Sequence, residues 1–416
     1  MNRAQPTVAF FCMLGDGHFN ALAPVIGRIA ALGMSPCVFT HASFRERVER
    51  LGGRFIDLFA KYPIEQADDE SRPLSCRNIS FAAFYAERII EDLRRFQPAL
   101  IIYEAVAVIG PVVARALGIP YVCVCVGHNV TPAAYLASLQ KDSRVAISDR
   151  CHRAAERLRT EFGLRDASPF SFVNSLSPFL NLYDEPPEFL DLGDRAAFEP
   201  LEFFGCVGGV SSVDRSEPCS YFDPGAPETL KVYVSFGTVV WWYFADDAVA
   251  ALRAIADACA GMERVRVVIS LGGADVDPEL VAALEKPNAR VLAYVDQARI
   301  LEQADLFITH HGVNSTHEAI FARVPMISYP FHWDQPALAR KCQDLGLALP
   351  LTATPRGAVT AREVQAAFAR FAASAPRLRS SLDKACLWEK ETIAQRDRVM
   401  QRVVGLIADD ASSKRR

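Results

Sequence analysis

The sequence has no hydrophobic run long enough to cross a membrane. A membrane helix needs roughly 20 apolar residues, and the N-terminal run VAFFCML is about a third of that length. No signal-peptide cleavage site follows this run. The sequence therefore predicts a cytoplasmic protein without stable membrane insertion.

The sequence also lacks a large excess of charge of one sign and a paired spacing of cysteines. The net charge is −4, and 45 basic residues are interspersed with 49 acidic ones, so no basic face is available for nucleic acid. The 11 cysteines have no paired spacing, and Cys12, Cys37, Cys123 and Cys125 lie in apolar runs. We interpret them as reduced, buried thiols of a cytoplasmic protein, and we expect no nucleic-acid partner.

The segment FITHHGVNSTHEAIFARVP (307–325) contains three histidines and a glutamate, yet it has no zinc-binding motif. A helical zinc site usually has two histidines four positions apart, as in H-E-x-x-H, whereas HEAIF ends in phenylalanine. His310 and His311 are neighbours on a predicted extended segment, so their side chains should point to opposite faces. The sequence predicts neither a metal ion nor another resident cofactor.

The sequence does contain apolar strands that alternate with amphipathic helices. Half of the 416 residues are hydrophobic and 23% are charged, which is enough for two separate cores. Residues 7–41 have the pattern of a strand, a glycine-rich turn, a helix and a second strand; 99–126 repeat it, and the same order returns after residue 230. This pattern predicts an α/β fold with two doubly wound, parallel-sheet, Rossmann-like domains.

Four segments follow from these patterns. The first domain is predicted at 1–206, a linker rich in Gly, Ser, Pro and Asp at 207–229, and the second domain at 230–380. The helical segment 381–416 fits either a cap on the second domain or a return to the first, and we predict the return. Ligands of such folds bind at the carboxyl ends of the strands. We therefore expect the chemistry on five turns: 15–20, 103–106, 127–131, 236–243 and 309–318.

The histidine-rich segment also contains a helix-start pattern. Ser315 and Glu318 have the S-x-x-E spacing of a capping box, which predicts a helix that begins at about residue 315. Gly312 would let the preceding backbone approach a ligand, and the free N–H groups at the helix start favour an anion such as phosphate. The alternative is that Ser315 and Glu318 only cap the helix while His310 satisfies buried backbone groups.

Residues 294–339 resemble the donor-binding box of family 1 glycosyltransferases, a GT-B group that includes plant secondary-product and bacterial macrolide glycosyltransferases. The similar elements are an anchoring glutamine, FITH, G-x-N-S-T-x-E, VPM and a terminal DQ. Further similarity lies in the turn GDGHFNALAP, the strand VYVSFGT and the segment SFVNSLSPFLNLYDEPPEF. The resemblance implies a GT-B fold and a nucleotide-sugar co-substrate, UDP- or dTDP-linked, with UDP-glucose as the expected donor.

The resemblance also implies roles in donor binding. Tyr294 would stack on the base where the family usually has Trp, Gln297 would bond the base, and Glu318 would hold the ribose hydroxyls. The contacts with the diphosphate and the sugar would come from the turns 236–243 and 309–318 and from the DQ pair. The residues are Thr238, His310, Gly312, Asn314, Ser315, Asp334 and Gln335. The family usually has a small residue where this chain has His311, so the resemblance assigns it no role.

The resemblance makes His18 the general base that deprotonates an acceptor hydroxyl, and an imidazole suits proton transfer near neutral pH. Such a base needs a partner that orients it. The family uses an aspartate after a later strand, and Glu104 ends the corresponding strand here. Asp16 is a rival partner. The implied reaction is metal-independent displacement at the anomeric carbon with inversion.

Acceptor recognition is predicted less directly. The expected acceptor is small and apolar or aromatic, resembling a natural product, and the candidate contacts are Phe84, His128, Asn129 and Trp241. Phe84 also fits a helix core, and the run VVWWYF around Trp241 also fits a packed lid. Two other functions stay open: a nucleotide-sugar epimerase, and a catalytically silent homologue that activates a partner enzyme. The protein is expected to be a monomer or a homodimer.

Overall fold

The computed structural model describes residues 5–13, 15–65, 74–128, 131–141, 145–172, 175–206, 220–222 and 228–413. The chain forms two compact units, one of Met1–Val210 with Thr392–Arg416 and the other of Ser211–Glu391. Most of the predicted linker lies outside the described residues. The chain re-enters the first unit at Thr392, and not at residue 381 as predicted.

The first unit contains a parallel sheet of seven strands in the part of the chain that the structure describes. Their order is β3-β2-β1-β4-β5-β6-β7. The strands are β1 (Thr7–Phe11), β2 (Ser35–Thr40), β3 (Arg54–Asp57), β4 (Pro98–Glu104), β5 (Tyr121–Cys125), β6 (Leu180–Tyr183) and β7 (Leu201–Phe203).

Helices cover both faces of this sheet, because strands buried on two sides need apolar helix surfaces on each. They are α1 (Asp16–Ala31), α2 (Arg45–Arg50), α3 (Leu58–Lys61), α4 (Leu74–Phe96), α5 (Ile109–Leu117), α6 (Pro132–Lys141) and α7 (Asp149–Thr160). Apolar residues of α4, α5 and α7 form one core layer. The other layer joins α1 to Val399, Met400 and Val403, which belong to the last helix of the chain.

The second unit repeats the design with six described strands in the order β10-β9-β8-β11-β12-β13. The strands are β8 (Leu230–Ser235), β9 (Val265–Ser270), β10 (Ala289–Leu292), β11 (Leu306–Thr309), β12 (Met326–Ser328) and β13 (Ala348–Pro350). The helices are α8 (Val240–Tyr243), α9 (Ala245–Ala260), α10 (Pro278–Leu284), α11 (Gln297–Leu301), α12 (Val313–Ala322), α13 (Gln335–Asp344) and α14 (Ala361–Ala394). The last helix, α15 (Arg396–Ser413), follows in the first unit.

The two sheets confirm the predicted α/β class, and their strand order fixes where ligands should bind. In the first unit the order reverses between β1 and β4, and in the second between β8 and β11. Carboxyl ends at such a switch point leave a crevice for a ligand. The turns after these four strands are therefore the first places to look for chemistry. No helix in the described ranges is long and apolar enough to span a membrane.

Candidate active site

A histidine–carboxylate pair lies at the switch point of the first sheet. His18 is in the first turn of α1, and Glu104 is the last residue of β4. The Nδ1 atom of His18 is 2.8 Å from Oε2 of Glu104. An ionised carboxylate only accepts hydrogen bonds, so Nδ1 carries the proton and Nε2 is left as the basic nitrogen.

Backbone amides hold Glu104 in place. The N–H of Met13 donates to Oε1 at 3.1 Å, and the N–H of Val106 donates to Oε2 at 2.9 Å. The carboxylate is fully buried, while 28% of the His18 side chain is exposed. These bonds hold in place a side chain that is one methylene longer than the aspartate of the family.

Asp16, the rival partner of His18, is engaged elsewhere. Its Oδ1 accepts from Nη1 of Arg47 at 3.2 Å, and its side chain is largely exposed. Arg47 also donates to Asn20 and lies over the ring of Phe19, 4.5 Å from its centroid. These contacts of Arg47 hold the first turn of α1 in place, and no side chain caps that turn.

The predicted capping box in the second unit is wrong. Helix α12 begins at Val313 with the extended residue Gly312 as its N-cap, and no side chain caps it. Ser315 and Glu318 bond Gln297 instead: its Nε2 donates to Ser315 Oγ at 3.1 Å and to Glu318 Oε2 at 2.7 Å. The first-turn N–H groups of α12 therefore have no side-chain cap, which suits an anion.

Two glycines shape the site around His310. A Cβ atom at Gly237 would lie 2.7 Å from Nε2 of His310, and one at Gly312 would lie 2.6 Å away. Burial lowers the pKa of His310 to about 4, against a smaller opposite effect of the Ser235 backbone. The imidazole is therefore neutral at physiological pH, and it borders the start of α12 as a polar, uncharged group.

His311 is a buried residue that links two elements of the second unit. Its backbone has a left-handed φ of 59°, and its side chain is fully buried. Nδ1 is 3.1 Å from Oγ1 of Thr316, and Nε2 is 2.8 Å from Oγ of Ser328. The residue that the resemblance left without a role joins the start of α12 to β12.

The remaining predicted donor residues differ in exposure. The ring of Tyr294 is 62% exposed, and Thr238, Asn314 and Asp334 are half-buried. Burial raises the pKa of Glu318 to about 6, and the hydrogen bond from Gln297 opposes this shift. An exposed ring and a carboxylate on neighbouring elements are suitable groups for a base and a ribose.

Gln335 is turned towards its own loop. Its Oε1 accepts from the backbone N–H groups of Phe331 at 3.0 Å and His332 at 3.3 Å, and the residue is only 5% exposed. The oxygen that was expected to bond a sugar hydroxyl is thus occupied by the loop. Only the amide nitrogen of this side chain is left for such a bond.

Two of the predicted acceptor contacts are packing residues. The ring of Phe84 is covered by the guanidinium groups of Arg150 at 4.1 Å and Arg157 at 5.8 Å. His128 is 1% exposed, with Nδ1 2.8 Å from Oε2 of the fully buried Glu185. His128 was expected to contact the acceptor because it follows a strand end, but its contact with the buried Glu185 holds its side chain in the interior. Asn129 lies outside the described residues.

The aromatic run after β8 is split between core and surface. Trp241 packs against the core of the second unit, whereas Trp242 is 54% exposed and Tyr243 38% exposed. The ring of Trp333, which is 47% exposed, lies 5.9 Å from that of Tyr243. Trp241 was the predicted acceptor contact, whereas Trp333, which directly precedes the DQ pair, is one of the exposed rings.

The described ranges contain no group of three or more His, Cys, Asp and Glu side chains that could hold a metal ion. The resemblance implies no role for the third histidine of the cluster, His317. It is fully buried, with Nδ1 2.5 Å from Oε1 of Glu389 on α14.

Two family models match parts of the chain. Residues 204–371 match the family model of UDP-glucuronosyl and UDP-glucosyl transferases. Residues 71–171 match the N-terminal domain model of erythromycin biosynthesis protein CIII-like proteins. One match lies within the first unit, and the other covers most of the second.

Whole-length relatives and solved structures are similar to the chain. It is 26% identical to the NDP-glycosyltransferase YjiC of Bacillus subtilis (84% of this chain, 85% of that one). It is also 26% identical to the oleandomycin glycosyltransferase of Streptomyces antibioticus (89% and 85%). The calicheamicin glycosyltransferase CalG4 superposes with a TM-score of 0.73 at 19% identity, over 97% of this chain and 100% of that one. Together these matches support a family 1 glycosyltransferase, and the chain has the GT-B fold.

Proposed function

We propose that the protein is an inverting, metal-independent glycosyltransferase that moves a hexose from a nucleotide sugar to a hydroxyl of a small natural-product-like acceptor. UDP-glucose is the expected donor and a dTDP-sugar the alternative. The observation that carries the proposal is the partly exposed His18, held at 2.8 Å by a buried carboxylate at the switch point of the first sheet. The names of the relatives, which include oleandomycin and calicheamicin glycosyltransferases, support a natural-product acceptor.

Each step of the reaction has a group suited to it. Nε2 of His18 takes the proton of the acceptor hydroxyl, and Glu104 stabilises the imidazolium that forms. The acceptor oxygen attacks the anomeric carbon from the side opposite the diphosphate. The bond from that carbon to the phosphate oxygen breaks, and its electron pair leaves with the nucleoside diphosphate, so the configuration inverts.

The start of α12 stabilises the departing diphosphate. Its first-turn N–H groups have no side-chain cap, and the helix dipole places positive potential there. His310 adds a neutral imidazole beside them. Fixed donors of this kind act on the charge that develops in the transition state, which is a function that a metal ion serves in other enzymes.

The test is a product assay with a panel of acceptors. The full-length protein is incubated with UDP-glucose or dTDP-glucose and phenolic or macrolide acceptors in the presence of EDTA. We expect a glycoside from the wild type and a fall in kcat of about 10²- to 10⁴-fold in His18→Ala, the range for loss of a general base. His152→Ala is the control, because His152 is an exposed histidine of α7 in the same unit.

Three results would contradict the proposal. Wild-type turnover in His18→Ala would remove His18 from the mechanism. Loss of activity with EDTA and its return with zinc would show a metal-dependent reaction. Nucleotide binding with no transfer to any acceptor would favour the epimerase or the silent homologue.

A further inference from the structure

The buried pair His317–Glu389 is unexplained by the reaction. Both side chains are fully buried, and Nδ1 of His317 is 2.5 Å from Oε1 of Glu389. The other carboxylate oxygen, Oε2, has no hydrogen-bond partner among the described residues. A buried carboxylate that is bonded at one oxygen only is costly, and apolar residues of similar size would usually stabilise the fold at least as well. A contribution to stability therefore does not explain why this pair is present, and another reason is needed.

The position of His317 on α12 supplies one. Successive helix residues are rotated by about 100°, so residues 315, 316 and 317 face three directions, and 318 returns close to 315. Ser315 and Glu318 face Gln297 on α11. Thr316 faces His311, which continues to Ser328 on β12. The third direction, that of His317, is towards α14.

The contacts between α12 and α14 run along both helices in opposite directions. Arg323 pairs with Asp383, Cys386 bonds the carbonyl of Phe321, and Glu389 bonds His317. The Arg323–Asp383 pair is exposed, and exposed pairs contribute little. A thiol is a weak donor. Of these three contacts, the short His317–Glu389 bond is the one that joins the ligand-facing half of α12 to α14.

We propose that His317 and Glu389 are positioning residues of the donor site. Their bond sets the rotation of α12 about its own axis, and thereby the direction of Ser315, Glu318 and the first-turn N–H groups towards the nucleotide. This inference rests on the proposed function, because it assigns the start of α12 to a nucleoside diphosphate. It predicts that affinity for the nucleotide depends on the bond between the two side chains and not on the stability of the protein.

The experiment separates the effect of the orientation of α12 on nucleotide affinity from the effect of the pair on the stability of the protein. UDP and dTDP are titrated into the full-length protein by calorimetry, and unfolding is followed by circular dichroism. In His317→Leu the carboxylate of Glu389 loses its partner, so both Tm and affinity should fall. In the double variant His317→Leu/Glu389→Leu we expect Tm to return towards the wild-type value, while Kd stays about tenfold or more above it because the helix is no longer oriented.

A conservative variant and a matched control complete the series. Glu389→Gln keeps an acceptor oxygen for Nδ1–H of His317, so its Kd should stay within about twofold of the wild-type value. Asp383→Ala removes the exposed pair on the same two helices and should leave Kd unchanged. With UDP-glucose and an active acceptor, the double variant should raise the donor KM more than it lowers kcat.

Two results would overturn the inference. One is a double variant that binds UDP or dTDP with the wild-type Kd. The other, which applies if the double variant does not fold, is equal Kd values for Glu389→Gln and Glu389→Met at a temperature at which both are folded. If the wild type binds neither nucleotide, the proposed function itself fails and the inference falls with it.

Discussion

The first and second units each contain a histidine bonded to a buried carboxylate, and the two pairs differ in access. In both, Nδ1 contacts a glutamate oxygen, at 2.8 Å for His18–Glu104 and 2.5 Å for His317–Glu389. His18 is partly exposed at a sheet edge, whereas His317 is enclosed between two helices. An imidazole must reach a substrate to exchange a proton with it. The same two side chains therefore suit the proposed base in one unit and the proposed positioning pair in the other.

The carboxylates differ as well. Glu104 accepts two backbone hydrogen bonds besides that of His18, whereas Oε2 of Glu389 has no described partner. A third pair, His128–Glu185, follows β5 and β6 at the same sheet edge as His18 but is buried. Its sequence position suggested a binding residue, and its burial makes it a support. Access and backbone bonding, and not residue type, separate the proposed catalytic pair from the other two.

The largest expected effect within this comparison comes from Glu104→Gln. Three N–H groups donate to the two carboxylate oxygens of Glu104, so a glutamine, with one acceptor oxygen, leaves at least one of them facing an NH2 group. It also lacks the charge that stabilises the imidazolium. We expect kcat to fall about 100-fold or more, with Kd for UDP unchanged. Steady-state kinetics with saturating UDP-glucose measure the first quantity, and calorimetry measures the second. Wild-type kcat in this variant would show that the carboxylate does not assist the base.

Glu185→Ala should have the opposite profile. It leaves His128 buried without its carboxylate, and breaking a buried pair costs about 3–5 kcal/mol of unfolding free energy. Denaturant titration measures that loss, and kcat per folded molecule should stay within about twofold of the wild-type value. A kcat that falls as far as in Glu104→Gln, with stability preserved, would place the buried pair in the reaction.

A smaller effect is expected from pH on the donor side. The pKa of Glu318 is raised to about 6 in the free protein, and ribose hydroxyls would stabilise the ionised form. The ionised fraction falls as the pH falls through 6, so affinity for UDP should drop by up to about tenfold between pH 7 and pH 5. Glu318→Gln should lack this component of the pH profile. Identical profiles in the two proteins would mean that Glu318 does not bind the nucleotide.

Local sequence patterns predicted the strands and the strand-end residues well. Apolar runs followed by glycine-rich turns placed β1, β4, β8 and β11, and Glu104 was found because it ends a strand. The start of α12 was missed because Ser315 and Glu318 bond Gln297, which lies 18 and 21 positions away, and not each other's backbone.

The buried partners of two histidines could not be predicted for the same reason. The partner of His317 is 72 residues further along the chain, and that of His128 is 57 residues further. The left-handed backbone of His311 was also not indicated by any local pattern. A partner that arrives through tertiary packing leaves no local spacing to detect.

The central claim is that His18 alone among the three paired histidines acts on a substrate. Diethyl pyrocarbonate acylates accessible neutral imidazoles, and peptide mapping gives the extent of modification of each histidine. We expect glycosyl transfer to be lost in proportion to the acylation of His18, while His128 and His317 stay unmodified and the protein stays folded. Transfer that persists after complete acylation of His18 would contradict the account.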